Sequence, residues 1–250
     1  QVCLAKRFEI AVAGDTWDIY LDMRRHNPAP YSGFMRLPVG AVLSSSPERF
    51  LQVSNGQVET KPIKGTIRRS KFAYEDKALA AQLLESDKDR AENLMIVDLL
   101  RNDIGKNCRI GSVAVPRLFA LESFATVHHL VSTVTGTLAE DRHALDLLRG
   151  CFPGGSITGA PKLRAMEIIE ELEPHRRGVY CGALGYVGFD GNMDTNIAIR
   201  TAVTLGDRYL YWAGGGIVAD STLESEYEES FAKAQAVLSL FGRGMVRGCG

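Results

Sequence analysis

Neither sign of charge is in excess in this chain of 250 residues: 29 Lys and Arg stand against 30 Asp and Glu, a formal net charge of -1. A protein that neutralises a phosphate backbone carries a basic surplus, so nucleic acid is a poor expected partner and a small, anionic metabolite fits better. Cysteine is sparse and scattered. Cys3, Cys108, Cys151, Cys181 and Cys249 are odd in number and contain no Cys-x-x-Cys pair, which argues against a disulfide framework or structural zinc and for a reducing, cytoplasmic setting. No run approaches the roughly 18 apolar residues that span a bilayer, and the start lacks a basic-then-apolar leader. Repeats, low-complexity tracts and long Pro/Ser linkers are also missing. The chain opens on Gln1-Val2-Cys3-Leu4 with no initiator Met, and is expected to be a piece of a longer protein.

What is present is ordinary globular composition, 45% hydrophobic and 24% charged, sufficient for a sizeable core. One catalytic domain over 1–242 and a disordered tail over 243–250 are expected. Alternating or β-branched runs at 2–12, 40–45, 50–53, 57–61, 110–118, 125–138, 181–189, 194–205 and 208–213 predict strands, with turns at Ser54-Asn55-Gly56 and Asp190-Gly191-Asn192. Helical periodicity marks 14–24, 75–85, 87–101, 141–149, 159–172 and 222–241. Strands in clusters, with helices between the clusters, predict an α+β fold of mostly antiparallel sheets with helices packed outside.

The glycine-rich run Phe152 to Lys162 leads into the fifth helix, with Thr158 as the expected cap, Pro161 in the first turn and Pro174 closing the other end. Bare backbone and free N–H groups there suit an anion such as a carboxylate, with a plain turn and cap as the alternative. A second cluster, Gly214-Gly215-Gly216, follows a strand and reads either as close packing or as ligand contact. Glu226 and Glu229, three apart on the last helix, share a face. They could hold Mg²⁺ together with an acid from another helix, Glu92 being the candidate; the competing reading is a solvated charged face. Lys64 sits where a strand ends, and is either a surface lysine or a nucleophile whose proton is lost by burial or a nearby cation. His128 and His129 face opposite sides of one strand, so at most one of them meets a given pocket.

Taken in order, Ser46-Pro47-Glu48-Arg49-Phe50, Lys61 to Thr66, Asp89 to Leu99, Arg101-Asn102-Asp103, His129 to Ser132, Gly154 to Lys162, Ile199-Arg200-Thr201, Gly214 to Ser221 and Glu226 to Glu229 resemble the chorismate-utilising enzymes. That group contains anthranilate, isochorismate, salicylate and aminodeoxychorismate synthases. The resemblance covers nearly the whole chain and corresponds to the C-terminal part of a typical member's fold, the N-terminal part being absent.

The resemblance implies a mechanism. In Pro62-Ile63-Lys64-Gly65-Thr66, anthranilate-type members look like Pro-Ile-Ala-Gly-Thr, whereas the aminodeoxychorismate branch carries a lysine. Gln1 resembles the glutamine of ammonia-using members, at a place where water-adding members carry a lysine. Lys64 would attack C2 of chorismate and Glu48 would protonate the leaving C4 hydroxyl, from a pKa raised in an acidic pocket. Mg²⁺ on Glu92, Glu226 and Glu229 would hold the ring carboxylate. Arg200, Tyr180 and Gly214 to Gly216 would grip the enolpyruvyl carboxylate, and His129, Ser156, Thr158 and Lys162 would line the rest. Ammonia would come from a glutamine amidotransferase, since no glutaminase Cys-His-Glu set is evident here. The product would feed folate (p-aminobenzoate) biosynthesis. An anthranilate synthase component and an inactive chorismate-binding module are the rival readings.

Overall fold

Phe8 and Ile10 are buried two apart on β1 (Val2–Ala11), as period two requires of a strand with one face on a core. The computed structural model describes residues 1–11, 14–238 and 247–248. After β1 come α1 (Thr16–His26), β2 (Tyr31–Leu37), β3 (Gly40–Ser46), β4 (Arg49–Ser54), β5 (Gln57–Lys61) and β6 (Ile63–Arg68). Then follow α2 (Ala73–Glu85), α3 (Asp87–Gly105), β7 (Ala114–Ser123), β8 (Val127–Thr137), α4 (Ala144–Cys151) and α5 (Lys162–Leu172). The last elements are β9 (Ala183–Val187), β10 (Met193–Ile197), β11 (Thr201–Leu205), β12 (Arg208–Ile217), α6 (Leu223–Leu238) and β13 (Arg247–Gly248). This is the α+β class with antiparallel pairing that the sequence predicts. No described helix is long and apolar enough to cross a membrane.

The described residues divide into two units. The first takes Gln1–Glu48, Ile157–Gly185 and Thr195–Gly250. Its sheet runs β13-β1-β12-β11-β3-β2. Tyr20 and Met23 of α1 and Ala234 and Val237 of α6 close one core with Phe8, Ile10, Leu43, Tyr209 and Tyr211, each large side chain contributing about 1.5–3 kcal/mol through burial. Asp15 caps α1 by accepting from the Trp17 amide at 2.8 Å, and Arg24, Arg25 and His26 oppose the dipole in its last turn.

The second unit takes Arg49–Ser156 and Tyr186–Asp194. Its strands run β6-β8-β5-β4, with β7 also on β8. Asn55 (φ 50°) and Gly56 (φ 76°) make the tight β4–β5 turn, the left-handed pair that such hairpins need. Ser86 ends α2 and caps α3, accepting from the Asp89 amide at 3.3 Å. Ile96, Val97, Leu100 and Ile104 of α3 are buried, as are Leu130, Val131 and Val134 of β8.

Several expectations shift. β2 and β6 were not legible as strands. Gly33 interrupts the first, where a Cβ would lie 2.8 Å from Leu184 Cδ2, and a bulge interrupts the second between Ile63 and Thr66. The strand expected over 194–205 is two strands, broken where Arg200 takes a φ of +51°. The run expected over 110–118 lies over Ala114–Ser123 instead. Gly214 to Gly216 do not follow a strand; they lie within β12, paired with Ala5, Leu4 and Cys3. Helix α5 begins at Lys162 with Pro161 at its cap and no side-chain cap bond, so Thr158 does not cap it. The tail 243–250 lies outside the described residues except Arg247–Gly248, which pair with Glu9 and Phe8.

Candidate active site

In the second unit the bulge in β6 aims Lys64. Gly65 has φ +85°, and a Cβ there would stand 3.0 Å from Asp89 and Leu83 side-chain atoms, so the strand passes close against α2 and α3 only because the residue is glycine. Lys64 Nζ donates to Glu92 Oε1 of α3 at 2.7 Å, the two side chains being 13% and 17% exposed. One residue on, Asn93 is fully buried; its Nδ2 donates to Leu130 O at 3.3 Å and its Oδ1 accepts from Ser132 Oγ. That amide fixes the α3 turn carrying Glu92 to β8. His129 Nδ1 hydrogen-bonds Thr66 Oγ1 at 2.8 Å and its ring meets the Phe124 edge at 5.3 Å. His128, on the opposite face, joins Ser123 Oγ at 2.8 Å and Asp76 Oδ1 at 3.1 Å. Ser156, 8% exposed, lies in a single 3₁₀ turn, Gly155–Ile157.

In the first unit the glycine-rich loop folds onto β1. The Gln1 main-chain nitrogen donates to Ala160 O and the Gln1 main-chain carbonyl accepts from Ala160 N, both at 3.1 Å. Cys3 N donates to Thr158 O at 2.9 Å. Gly159 has φ +134°, and a Cβ there would lie 2.2 Å from Gln1 O. Thr158 is 3% exposed, and Lys162 opens α5. Tyr180 is buried and stacks on Trp212 at 6.0 Å and 9°; burial pushes its phenol well above the ordinary range. Glu48, 6% exposed, is fixed through its backbone: its amide donates to Ser46 Oγ at 3.2 Å and its carbonyl accepts from Ile197 N at 3.0 Å. Arg200 donates to Lys233 O.

The β12 glycines meet α6 over bare backbone. A Cβ on Gly214 would stand 1.9 Å from Leu4 O, and one on Gly215 would stand 3.0 Å from Glu226 Oε2, 3.5 Å from Glu229 Oε1 and 3.7 Å from Lys233 Nζ. The two carboxylates therefore converge over Gly215. Ser221 Oγ donates to Glu226 Oε1 at 2.6 Å, while Lys233 pairs with Glu229 and donates to Gly214 O at 3.0 Å. Among the described residues no three His, Cys, Asp or Glu side chains form a ready-made metal cluster. A pair of carboxylates with room for waters and ligand oxygens is nevertheless the donor set that Mg²⁺ takes.

Sequence reasoning assigned no role to Arg177, Glu173, Lys233, Asn93 or Ser132. Lys233 had a signal, standing four after Glu229 on one helix. Arg177 and Glu173 had the same spacing, but their tertiary partners left no local trace. A pocket bounded by Lys6, Arg7, Pro174, His175 and Trp212 contains none of the predicted catalytic, substrate-binding or metal residues.

The chain belongs to the family of chorismate binding enzymes, whose profile matches residues 1–239. It is 56% identical over 238 residues to aminodeoxychorismate synthase component 1 of Escherichia coli, covering 95% of this chain and 52% of that protein. Against anthranilate synthase component 1 of Aquifex aeolicus it is 48% identical over 238 residues, covering 95% and 48%. The crystal structure of anthranilate synthase component I from Streptococcus pneumoniae superposes with a TM-score of 0.86 at 42% identity, covering 94% and 52%. The chain thus spans about half the length of these relatives.

Proposed function

We propose that this chain is the catalytic part of an enzyme that aminates chorismate to 4-amino-4-deoxychorismate, with Lys64 as nucleophile. The observation that carries the reading is Lys64 itself, presented by the β6 bulge and held 2.7 Å from Glu92, in a chain whose 56% identity is to an aminodeoxychorismate synthase. Lys64 Nζ forms a bond to C2, the two conjugated ring double bonds shift (C1=C2 to C1=C6, C5=C6 to C4=C5), and the C4 hydroxyl departs as water with a proton from Glu48. Ammonia then bonds to C4, both double bonds shift back, the C2–N bond breaks to release Lys64 as its neutral amine, and a proton of the added nitrogen returns to Glu48.

Lys64 must surrender its proton and its pairing to Glu92 before it attacks, so its ion pair describes a resting arrangement. Glu226 and Glu229, with Glu92, are the carboxylates that would hold Mg²⁺, which when bound supplies positive charge to the ring carboxylate. Arg200 and Tyr180 with Gly214, Gly215 and Gly216 take the enolpyruvyl carboxylate, a guanidinium fork matching two oxygens. His129, Ser156, Thr158 and Lys162 line the remainder, with Gln1 in the substrate-binding set at the place where ammonia-using members carry a glutamine. Ammonia arrives from a glutamine amidotransferase on another chain, in the cytoplasm, for p-aminobenzoate and folate synthesis.

Incubation with chorismate, Mg²⁺ and ammonium, with the product identified by mass, tests the reading. Formation of 4-amino-4-deoxychorismate supports it, and anthranilate with released pyruvate overturns it. Chorismate binding without turnover and without a mass shift on Lys64 would make the chain a binding module.

A further inference from the structure

Arg177 takes none of the roles proposed above, yet its guanidinium is among the most fully bonded groups of the first unit. Nη1 donates to Ile157 O at 2.8 Å, Nη2 to Cys3 O at 2.7 Å and to Glu173 Oε1 at 2.6 Å, and Nε to Glu173 Oε2 at 2.9 Å. Four of the five N–H groups a guanidinium carries are thereby placed. The side chain is 14% exposed and Glu173 7%, so both charges are held in a largely dry setting where loss of one leaves the other uncompensated. Glu173 Oε1 also accepts from Ala5 N at 2.9 Å. One ion pair thus ties the end of α5 to β1.

The two carbonyls that Arg177 grips enclose one residue. The Ile157 carbonyl belongs to the peptide group that ends at the Thr158 nitrogen. The Thr158 carbonyl accepts from Cys3 N at 2.9 Å, and the Cys3 carbonyl is the second one on Arg177. The path Arg177, Ile157, Thr158, Cys3 and back to Arg177 is a closed ring of covalent and hydrogen bonds, and it fixes the peptide planes on both sides of Thr158. The guanidinium also lies over the Tyr180 ring, 5.8 Å from its centroid, while Trp212 stacks parallel to that ring.

We propose that Arg177 is a positioning residue for the subsite built from Thr158 and Tyr180, setting the direction of the Thr158 hydroxyl and the plane of the Tyr180 ring without itself touching substrate. The proposal rests on the chorismate reading of that site. A lysine at 177 has a single point of charge on a flexible stem and cannot hold the Ile157 and Cys3 carbonyls and both Glu173 oxygens at once. It keeps the charge against Glu173 and releases the loop.

A double-mutant cycle on chorismate affinity, measured by calorimetry with Mg²⁺ on the full chain, tests this. Arg177→Lys is expected to raise the chorismate Kd about 10-fold or more, the range of one or two charged hydrogen bonds, with near-UV circular dichroism unchanged. In a Thr158→Val background the same change is expected to cost less than about 2-fold, because the hydroxyl it positions is gone. In turnover, KM rises while kcat stays within about 3-fold. Equal losses in both backgrounds overturn the proposal. If Arg177→Lys does not fold, Glu173→Gln, which loosens the fork and keeps the arginine, is expected to weaken binding in the same direction, again only when Thr158 is present; unchanged affinity overturns the proposal. Wild-type protein that fails to bind chorismate defeats the functional reading itself, an outcome distinct from binding with additive losses.

Discussion

The Lys64 ammonium and the Glu92 carboxylate, 28 residues apart in sequence, meet at 2.7 Å between a strand bulge and the second turn of α3. The strand supplies the proposed nucleophile and the helix its counter-charge. Replacing Lys64 with Ala removes one and leaves Glu92 partly buried without that partner. When ammonia is withheld, the wild-type chain is expected to gain the mass of chorismate less water, and the Lys64→Ala chain none, by intact mass spectrometry. Slow direct addition of ammonia in the variant is compatible with this; an adduct elsewhere on it is not.

Glu48 is the second catalytic prediction. Glu48→Gln keeps the size and the backbone bonds to Ser46 and Ile197 and removes the proton proposed for the leaving hydroxyl. Turnover is expected to fall by roughly 10²–10⁴, with the thermal midpoint little changed. Wild-type rates in the variant would remove Glu48 from the mechanism.

The neighbouring glycines of β12 separate fold from site. In Gly214→Ala the new methyl would stand 1.9 Å from Leu4 O, and relief requires β1 and β12 to part, at about 1–3 kcal/mol, a drop of several degrees in the melting midpoint. The nearest atoms to a methyl in Gly215→Ala are carboxylate oxygens and an ammonium at 3.0 Å and beyond, which can move. It is expected to keep the fold and weaken Mg²⁺ binding by calorimetry. The reverse pattern would contradict the placement of Glu226 and Glu229 over Gly215.

Acid should loosen the second unit at one identifiable carboxylate. The Arg69 guanidinium, ahead of the Ser70 amide and His128, holds Asp76 down to about 2 from 3.8. A folded-state pKa below the unfolded one stabilises the fold above the unfolded value, and that contribution is lost as pH falls through the folded one. The difference in denaturation midpoint between wild type and Asp76→Asn is therefore expected to be constant above about pH 5, to fall as the pH drops through about 4 to 2 and to be lost by about pH 1. A difference that is as large at pH 2 as at pH 6 would sink this assignment.

Burial also predicts silent thiols. Cys108 is pushed up to about 11 and Cys181 to about 12, so at pH 8 their thiolate fractions are on the order of 10⁻³ and 10⁻⁴. Native protein should leave both unlabelled by a disulfide reagent on a timescale that labels them fully in urea. Peptide mapping after brief labelling reads this out, and early modification of either residue would contradict their burial.

Much of this protein was legible before any coordinates. The Asn55-Gly56 turn, the shared face of Glu226 and Glu229 and the strand at β1 are set by residues within a turn or two of one another, through steric limits on φ and the periods of helix and strand. The order of short motifs likewise pointed to chorismate chemistry. Other features were decided only in three dimensions. Gly214 to Gly216 read as a cluster that follows a strand, yet they pair within one, because the carbonyl of Leu4 and the carboxylates of α6 approach where a Cβ would stand. Thr158 reads as a helix cap, yet the loop packs onto β1 and leaves the cap to Pro161. Arg177, four residues after Glu173, draws Cys3 and Ile157 to that pair, a choice that no spacing encodes. Backbone preferences act over a few residues and are written locally, whereas a buried guanidinium must find its acceptors wherever close packing brings them, and only the folded chain determines which those are.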